Sequence, residues 1–301
     1  MPAQAETAPC AEEPTEIEGV TPQASTAERQ PGNSPSKLIY ALGRVGYKFV
    51  SESRRDSIKH EMGESKDPAN AMQLLEYLDS NPHDAASIHW TLNLDGSPIY
   101  VVAPHGPFAR EAYDLLRRFL REQSTEGVER VSIAGYIRGV ADFGSGIKIP
   151  ILAPEIRGMC NWTTKALISA VCGKAPEKAS KESGAYEAKR AGVSNFLERV
   201  YYELRNVGRE PGDRALNFAA TNAFQVERIY EIALREEMEL EAIQKEPSPF
   251  ARPGSECWDV KLVFFYPKRE TRAVRKIFRF TVDITDVVPV VVGPMRSWSA
   301  P

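Results

Sequence analysis

The chain is predicted to be α+β: mixed hairpins and helices in a first subdomain, then a helical hairpin packed on an antiparallel sheet. Three observations predict this. Asp95-Gly96, the dipeptide favoured in two-residue hairpin turns, separates the apolar runs Ile88–Leu94 and Pro98–Ala103. In the stretch from Cys257 to Trp298, Trp258, Val260, Leu262, Phe264 and Tyr266 alternate onto one face. Phe278, Phe280, Val282 and Ile284 do the same in the next run, with Arg279, Thr281, Asp283 and Thr285 opposite. Between these regions the apolar residues recur at helical spacing: Val193, Phe196, Leu197, Val200, Tyr201 and Leu204, then Leu216, Ala219, Ala223, Val226, Tyr230 and Ala233.

The elements follow in order. Residues 1–36 are rich in Pro, Glu, Thr, Ser, Gln and Ala, with six acids and one arginine. Too little apolar surface is present to offset chain entropy, so a disordered acidic tail is expected. Two subdomains follow, 37–155 and 156–301. Tyr40–Val50, apolar with two glycines, reads as a strand or turn, and Ser51–Met62 as a short polar helix. Asp67–Ser80 is a helix by the stripe Ala71, Leu74, Leu75 and Leu78, with Asp67-Pro68 as its start. Phe108–Gln123 is another, by Ala112, Leu115, Leu116, Phe119 and Leu120. Val131–Ala141 and Ile147–Leu152 read as strands around a turn at Gly144–Gly146. A short helix from Asn161-Trp162-Thr163 to Cys172 ends at Gly173. Gly208 closes the first arm of the helical hairpin. Pro211-Gly212-Asp213 reverses the chain with Asp213 as N-cap, and the second arm runs toward Gln244, its charged stretch Arg235–Glu241 in solvent. The closing sheet has two regular strands and a proline-broken third.

Composition excludes several classes. The net charge of −3 gives no basic field for nucleic acid. No apolar run approaches the roughly twenty residues of a membrane span. The acidic start lacks the basic and apolar regions of a signal peptide, so a cytoplasmic protein is expected. The four cysteines, Cys10, Cys160, Cys172 and Cys257, form no CxxC pair. Buried thiols are expected ahead of a zinc site built from Cys160, Cys257 and a histidine, and no cofactor is implied.

The candidate chemical groups are few. Asp142-Phe143-Gly144 and Ala153-Pro154-Glu155 echo the DFG and APE marks of protein kinases. No HRD loop or GxGxxG is present, and the interval between them is too short for an activation loop, so the first is the end of a strand entering a glycine turn. There is no GxSxG elbow or serine-protease signature. His105 stands in the rigid loop Pro104-His105-Gly106-Pro107, where a catalytic residue could sit. Within His89-Trp90, on a strand, one residue should face the core. Arg54, Arg55 and Asp56 form one polar cluster, and Glu155 and Arg157 another. Each suits carboxylate binding by guanidinium forks, or an internal ion pair that fixes a loop. The basic strip Lys268, Arg269, Arg272, Arg275 and Lys276 lacks interleaved aromatics and reads as a solvated turn.

Several blocks taken together are more specific. GRVGYKFVSESRRDSI, IHWTLNLDGSPIY, VERVSIAGYIRG, IPILAPEIRGMCNWTTKALISAV, NFLERVYYELRNVG, CWDVKLVFFYP and IFRFTVDITDVVPVVVG, closing on MRSW, resemble the PatG family. The likeness is to the domain of unknown function at the C-terminus of the cyanobactin maturation proteins PatG and PatA, and it spans Leu38 to Trp298. In that family the domain accompanies a subtilisin-like protease that cuts or macrocyclises a ribosomal precursor peptide. This chain has an acidic segment where a protease would stand, and nothing resembling the subtilisin Asp, His and Ser blocks. The resemblance therefore implies an accessory domain without protease activity, whose partner is a precursor peptide or the maturation protease. Two rival readings follow from the residues: an enzyme with His105, Arg54, Arg55 and Asp56 in one cleft, or a purely structural dimerisation domain, a homo-oligomer with the alanine-striped helix at its interface.

Overall fold

The computed structural model describes residues 37–300 except 129, 145, 164–171, 174, 175, 177–182, 185, 188, 189, 195–204, 222–228, 230, 231, 234 and 268–273. Residues 36–301 form one unit. It holds a closed five-stranded barrel followed by a four-stranded antiparallel sheet, so the α+β class holds.

The barrel begins with β1 (Leu38–Phe49), which serves two neighbours in turn. Its second half, Arg44–Phe49, pairs antiparallel with β2 (Ile88–Leu94), and its first half, Leu38–Gly43, with β4 (Arg130–Asp142). β2 turns into β3 (Ser97–Val102) through Asp95 and Gly96, both at positive φ (48° and 80°), as a type I′ turn requires. β3 then runs parallel to β5 (Lys148–Trp162) at Val101 and Val102, and β5 pairs along nearly its full length with β4, closing the ring. The β4–β5 hairpin carries two register shifts. At the first, a Cβ on Gly135 would lie 2.1 Å from the Ala153 carbonyl oxygen, so only glycine fits the kink. β5 passes through Glu155 and Ile156 without a break, and Asn161 and Trp162, read above as a helix start, belong to it. The rest of that helix lies outside the described residues.

Among the described residues three helices cover the barrel. α1 (Glu52–Met62) is capped by the Ser51 side chain, which accepts from the Arg54 N–H. α2 (Ala71–Ser80) is capped by Asn70, three residues after the expected Asp67 start: the Asp67 side chain instead accepts from the Ala69 N–H and closes a turn. α3 spans Ala109–Thr125. Their buried residues Ile58, Leu74, Leu75, Leu78, Leu116 and Phe119 meet Trp90, Leu92, Tyr100, Val102, Ile133 and Leu152 in the barrel core.

The second core lies against the outside of the barrel. Along β1, Ile39 and Ala41 point into the barrel core, whereas Tyr40 and Leu42 join the second core with Ala134 of β4. Both faces of β1 are therefore buried there, which explains its continuous apolar run. α4 (Pro211–Thr221) packs Ala215, Leu216, Ala219 and Ala220 into this core. Pro211-Gly212-Asp213 is its first turn, a correction to the expected chain reversal. Proline suits a first helical position, and Asp213 pairs with Lys245. Ala219 and Ala233 of the alanine stripe are buried in the core, and Ala223 lies outside the described residues.

The sheet is ordered β6 (Glu239–Pro247), β7 (Cys257–Phe265), β8 (Arg275–Asp283), β9 (Val290–Ala300), all antiparallel. The predicted alternation holds: Val260, Leu262 and Phe264 face Phe278, Phe280 and Val282 in the core, with the Phe264 and Phe278 rings edge to face at 5.5 Å. β6 is the main correction, because residues up to Gln244 were expected to continue a helix. The chain instead turns at Glu237 (φ 52°) and pairs with β7. Leu240 and Ile243 pack on the core, while Glu236 and Glu241 pair with Lys276 and Arg275. These contacts override the helix propensity of a Glu-rich stretch.

Candidate functional site

The structure separates the sequence candidates. Arg54 turns inward from α1: its Nη2 lies 2.5 Å from Asp84 Oδ1, and its Nε donates to Ser87 Oγ at 2.9 Å. Asp84 also accepts from the Tyr77 hydroxyl at 2.5 Å. Burial, with the Asp84 and Glu61 carboxylates accepting its proton, drives the Tyr77 phenol far above its ordinary value. Arg54 is thus an internal tie between α1 and the 3-10 turn Pro82–Ser87. Asp56 is exposed on α1.

His105 follows β3, with Nε2 2.7 Å from the Tyr136 hydroxyl and the two rings edge-on at 5.7 Å. Glu155 and Arg157 pair with each other at 2.9 Å on β5. Among the described residues no hydrogen bond or ion pair joins His105 to Arg54, Arg55 or Asp56. Among the described residues no group of His, Cys, Asp and Glu could hold a metal. Cys257 is buried as expected, whereas Cys160 is exposed on β5.

Two surfaces do gather polar chemistry. The first is a cleft of about 480 Å³ where β1 passes into α1, lined by Lys48, Glu52, Arg55, His89, Asp142 and Phe143 among others. The alternation of β2 puts Trp90 fully inside the barrel and leaves His89 outside, so the sequence expectation for that pair holds. The tip of the β4–β5 hairpin reaches across this outer wall. Lys48 Nζ donates to the Phe143 carbonyl at 2.8 Å and lies 4.6 Å over the Phe143 ring, which stacks on His89 with 9° between planes. Burial and the neighbouring Lys48 charge lower the His89 pKa, so the imidazole is neutral near pH 7. The kinase-like Asp142-Phe143-Gly144 is this tip: Asp142 Oδ1 accepts from the Gly144 N–H at 2.8 Å. Sequence reasoning singled out Arg55 but not Lys48, because nothing in their spacing links β1 to a hairpin about a hundred residues away.

The second surface is the edge of the closing sheet. β9 is one of its two outer strands, β6 being the other, with no further strand beside it among the described residues. Arg296 and Trp298 stand on its outward face opposite Arg279 and Ile277 of β8. The Arg279 guanidinium lies 5.0 Å from the ring of Phe250 and 5.9 Å from that of Trp298, and Lys261 Nζ is 5.9 Å from Trp298. Arg279 is balanced by fully buried Asp259 at 3.3 Å, and Lys261 by Glu246 at 2.5 Å. Arg296 has no ion-pair partner among the described residues, and beside it an open depression of about 590 Å³ is lined by Arg279, Ser297 and Trp298. Arg275 and Lys276, from the expected solvated turn, are in β8, and Lys268, Arg269 and Arg272 lie outside the described residues.

A small mixed barrel that shares a strand with the core of an open antiparallel sheet defines an α+β domain with its cationic and aromatic groups on its surface. The chain belongs to the PatG domain family. The family profile described as "PatG Domain" matches residues 38–140, and "PatG C-terminal" matches 183–298. A solved structure described as "PatG Domain of Unknown Function" is 39% identical, with a TM-score of 0.76 over 88% of this chain and 99% of that one. No curated protein matches. No described helix is long and apolar enough to cross a membrane.

Proposed function

We propose that the chain is an accessory, non-protease domain that binds an extended segment of a precursor peptide in cyanobactin-type ribosomal peptide maturation. The observation that carries this reading is the free edge of β9 beside the Arg296–Trp298 surface. An unpaired edge offers backbone N–H and C=O groups in strand register, so a peptide can add as a fifth strand. Side chains of the added strand would alternate over the face that bears Trp298, with aromatic surface for contact area and Arg296 for a peptide carboxylate. Family membership supports the setting, since the resemblance associates this domain with precursor-processing proteins.

Calorimetric titration of the full chain with precursor peptide should show saturable binding. Trp298→Ala and Arg296→Glu should each weaken it about tenfold, a loss of roughly 1.4 kcal/mol. Both side chains are exposed, so the fold should survive either change. Binding of the maturation protease alone would redirect the reading to a partner enzyme, and binding of neither would overturn it.

A further inference from the structure

We infer that the cleft between β1, α1 and the β4–β5 hairpin tip is a separate pocket for a small carboxylate with a flat apolar body. Its volume, about 480 Å³, falls in the range of small-ligand sites. One end of it holds two cationic side chains with donors to spare. Arg55 makes no side-chain hydrogen bond or ion pair among the described residues, so its planar fork is open to a carboxylate. Lys48 uses one proton on the Phe143 carbonyl, and an ammonium group carries three. The two acids of the cleft match these cations in number, but both have other partners: Asp142 accepts from the Gly144 N–H of its own turn, and Glu52 occupies the first turn of α1, beside a helix terminus.

The other end is aromatic. Phe143 and His89 lie parallel at 5.7 Å, with Phe49 and Val50 beside them, so a flat apolar group meets a matching surface. The neutral imidazole adds no charge there at pH 7. The wall is also held in place: Phe143 packs against Val101, Ala141 and Ile149, its N–H bonds the Ile147 carbonyl at 2.9 Å, and Lys48 ties its carbonyl to β1. A ligand would therefore enter a cleft that needs little ordering on binding.

The test compares benzoate with benzamide, its uncharged counterpart of nearly equal shape, on the full chain by calorimetry and by crystal soaking. Benzoate should bind saturably in the cleft and benzamide about tenfold more weakly or worse, since the charge-assisted contacts are lost. Arg55→Ala should weaken benzoate about tenfold and leave unfolding of the unliganded protein unchanged, because Arg55 is exposed. Arg157→Ala, at an exposed arginine outside the cleft, should change nothing. Three results would each overturn the inference: no benzoate binding, equal affinity for the two compounds, or benzoate seated on the Arg296–Trp298 surface instead. The first two concern the cleft alone and leave peptide addition at β9 standing, whereas the third would move carboxylate binding to the surface beside β9.

Discussion

Arg214 and Arg55 carry the same guanidinium to opposite ends of its chemistry. Arg214 is 4% exposed, and its two terminal nitrogens donate to the carbonyls of Ile284 and Asp286 at 2.8 and 2.7 Å, tying α4 to the chain leaving β8. Burial lowers its pKa, with Glu256 opposing the shift. Arg214→Leu removes both hydrogen bonds, one of them to the buried Ile284, and should destabilise by about 2–3 kcal/mol, read as a lower urea midpoint at unchanged slope. Glu236 gives a pH-dependent case. Hydrogen bonds from Lys276 and Tyr266 hold its carboxyl below the ordinary value of 4.5. A depressed native pKa stabilises the fold above the unfolded value and loses that stabilisation as pH falls through the native one. Glu236→Gln should therefore cost about 1 kcal/mol at pH 7, and the gap to the parent should close on acidification below 4.5. A gap independent of pH would show that shape, not charge, matters there.

Elements differ in how far the sequence reveals them, and the differences have physical causes. The β2–β3 hairpin was legible because Asp95-Gly96 fixes its own turn geometry, and β7 and β8 because each buries one face of strict alternation. β6 was not, since Glu, Met, Leu, Ala and Lys favour a helix and only the neighbouring strand shows that they pair. The adjacent arginines Arg54 and Arg55 could not be told apart, because one residue along a helix turns a side chain by about 100°. The cleft was invisible for a related reason: its groups come from β1, α1, β2 and the β4–β5 tip, and no local spacing encodes their meeting. The loop before α4 is a junction of the same kind. Gly208 adopts φ 63°, and a Cβ there would lie 2.0 Å from the Tyr40 carbonyl oxygen, a backbone atom that cannot give way. Gly208→Ala should cost on the order of 2 kcal/mol or more, measured by denaturant midpoint, from the left-handed backbone and the clash together.

At the scale of the whole unit, the two hydrophobic cores share β1, and this decides how residues 36–301 should unfold. Ile39 and Ala41 belong to one core, Tyr40 and Leu42 to the other. The Tyr40 backbone is also bonded on both sides of the junction: its N–H donates to the Gly208 carbonyl at 3.0 Å, and its carbonyl accepts from Asn217 Nδ2 at 2.9 Å. Asn217 is fully buried on α4 and exchanges side-chain amide bonds with Asn206 at 3.0 Å. Removing the second core would expose one face of β1 and leave the Tyr40 carbonyl without this partner, so neither core keeps its surface when the other opens. A unit of this length could otherwise be expected to lose its two sheets separately. The shared strand predicts one transition instead, with amide protection in β2 and in β8 lost together as denaturant rises. Asn217→Ala, which strands a buried carbonyl, should lower both midpoints equally by the equivalent of about 1–3 kcal/mol. If the β8 amides exchange at a denaturant concentration that leaves the β2 amides protected, the two cores fold independently and the coupling through β1 is absent.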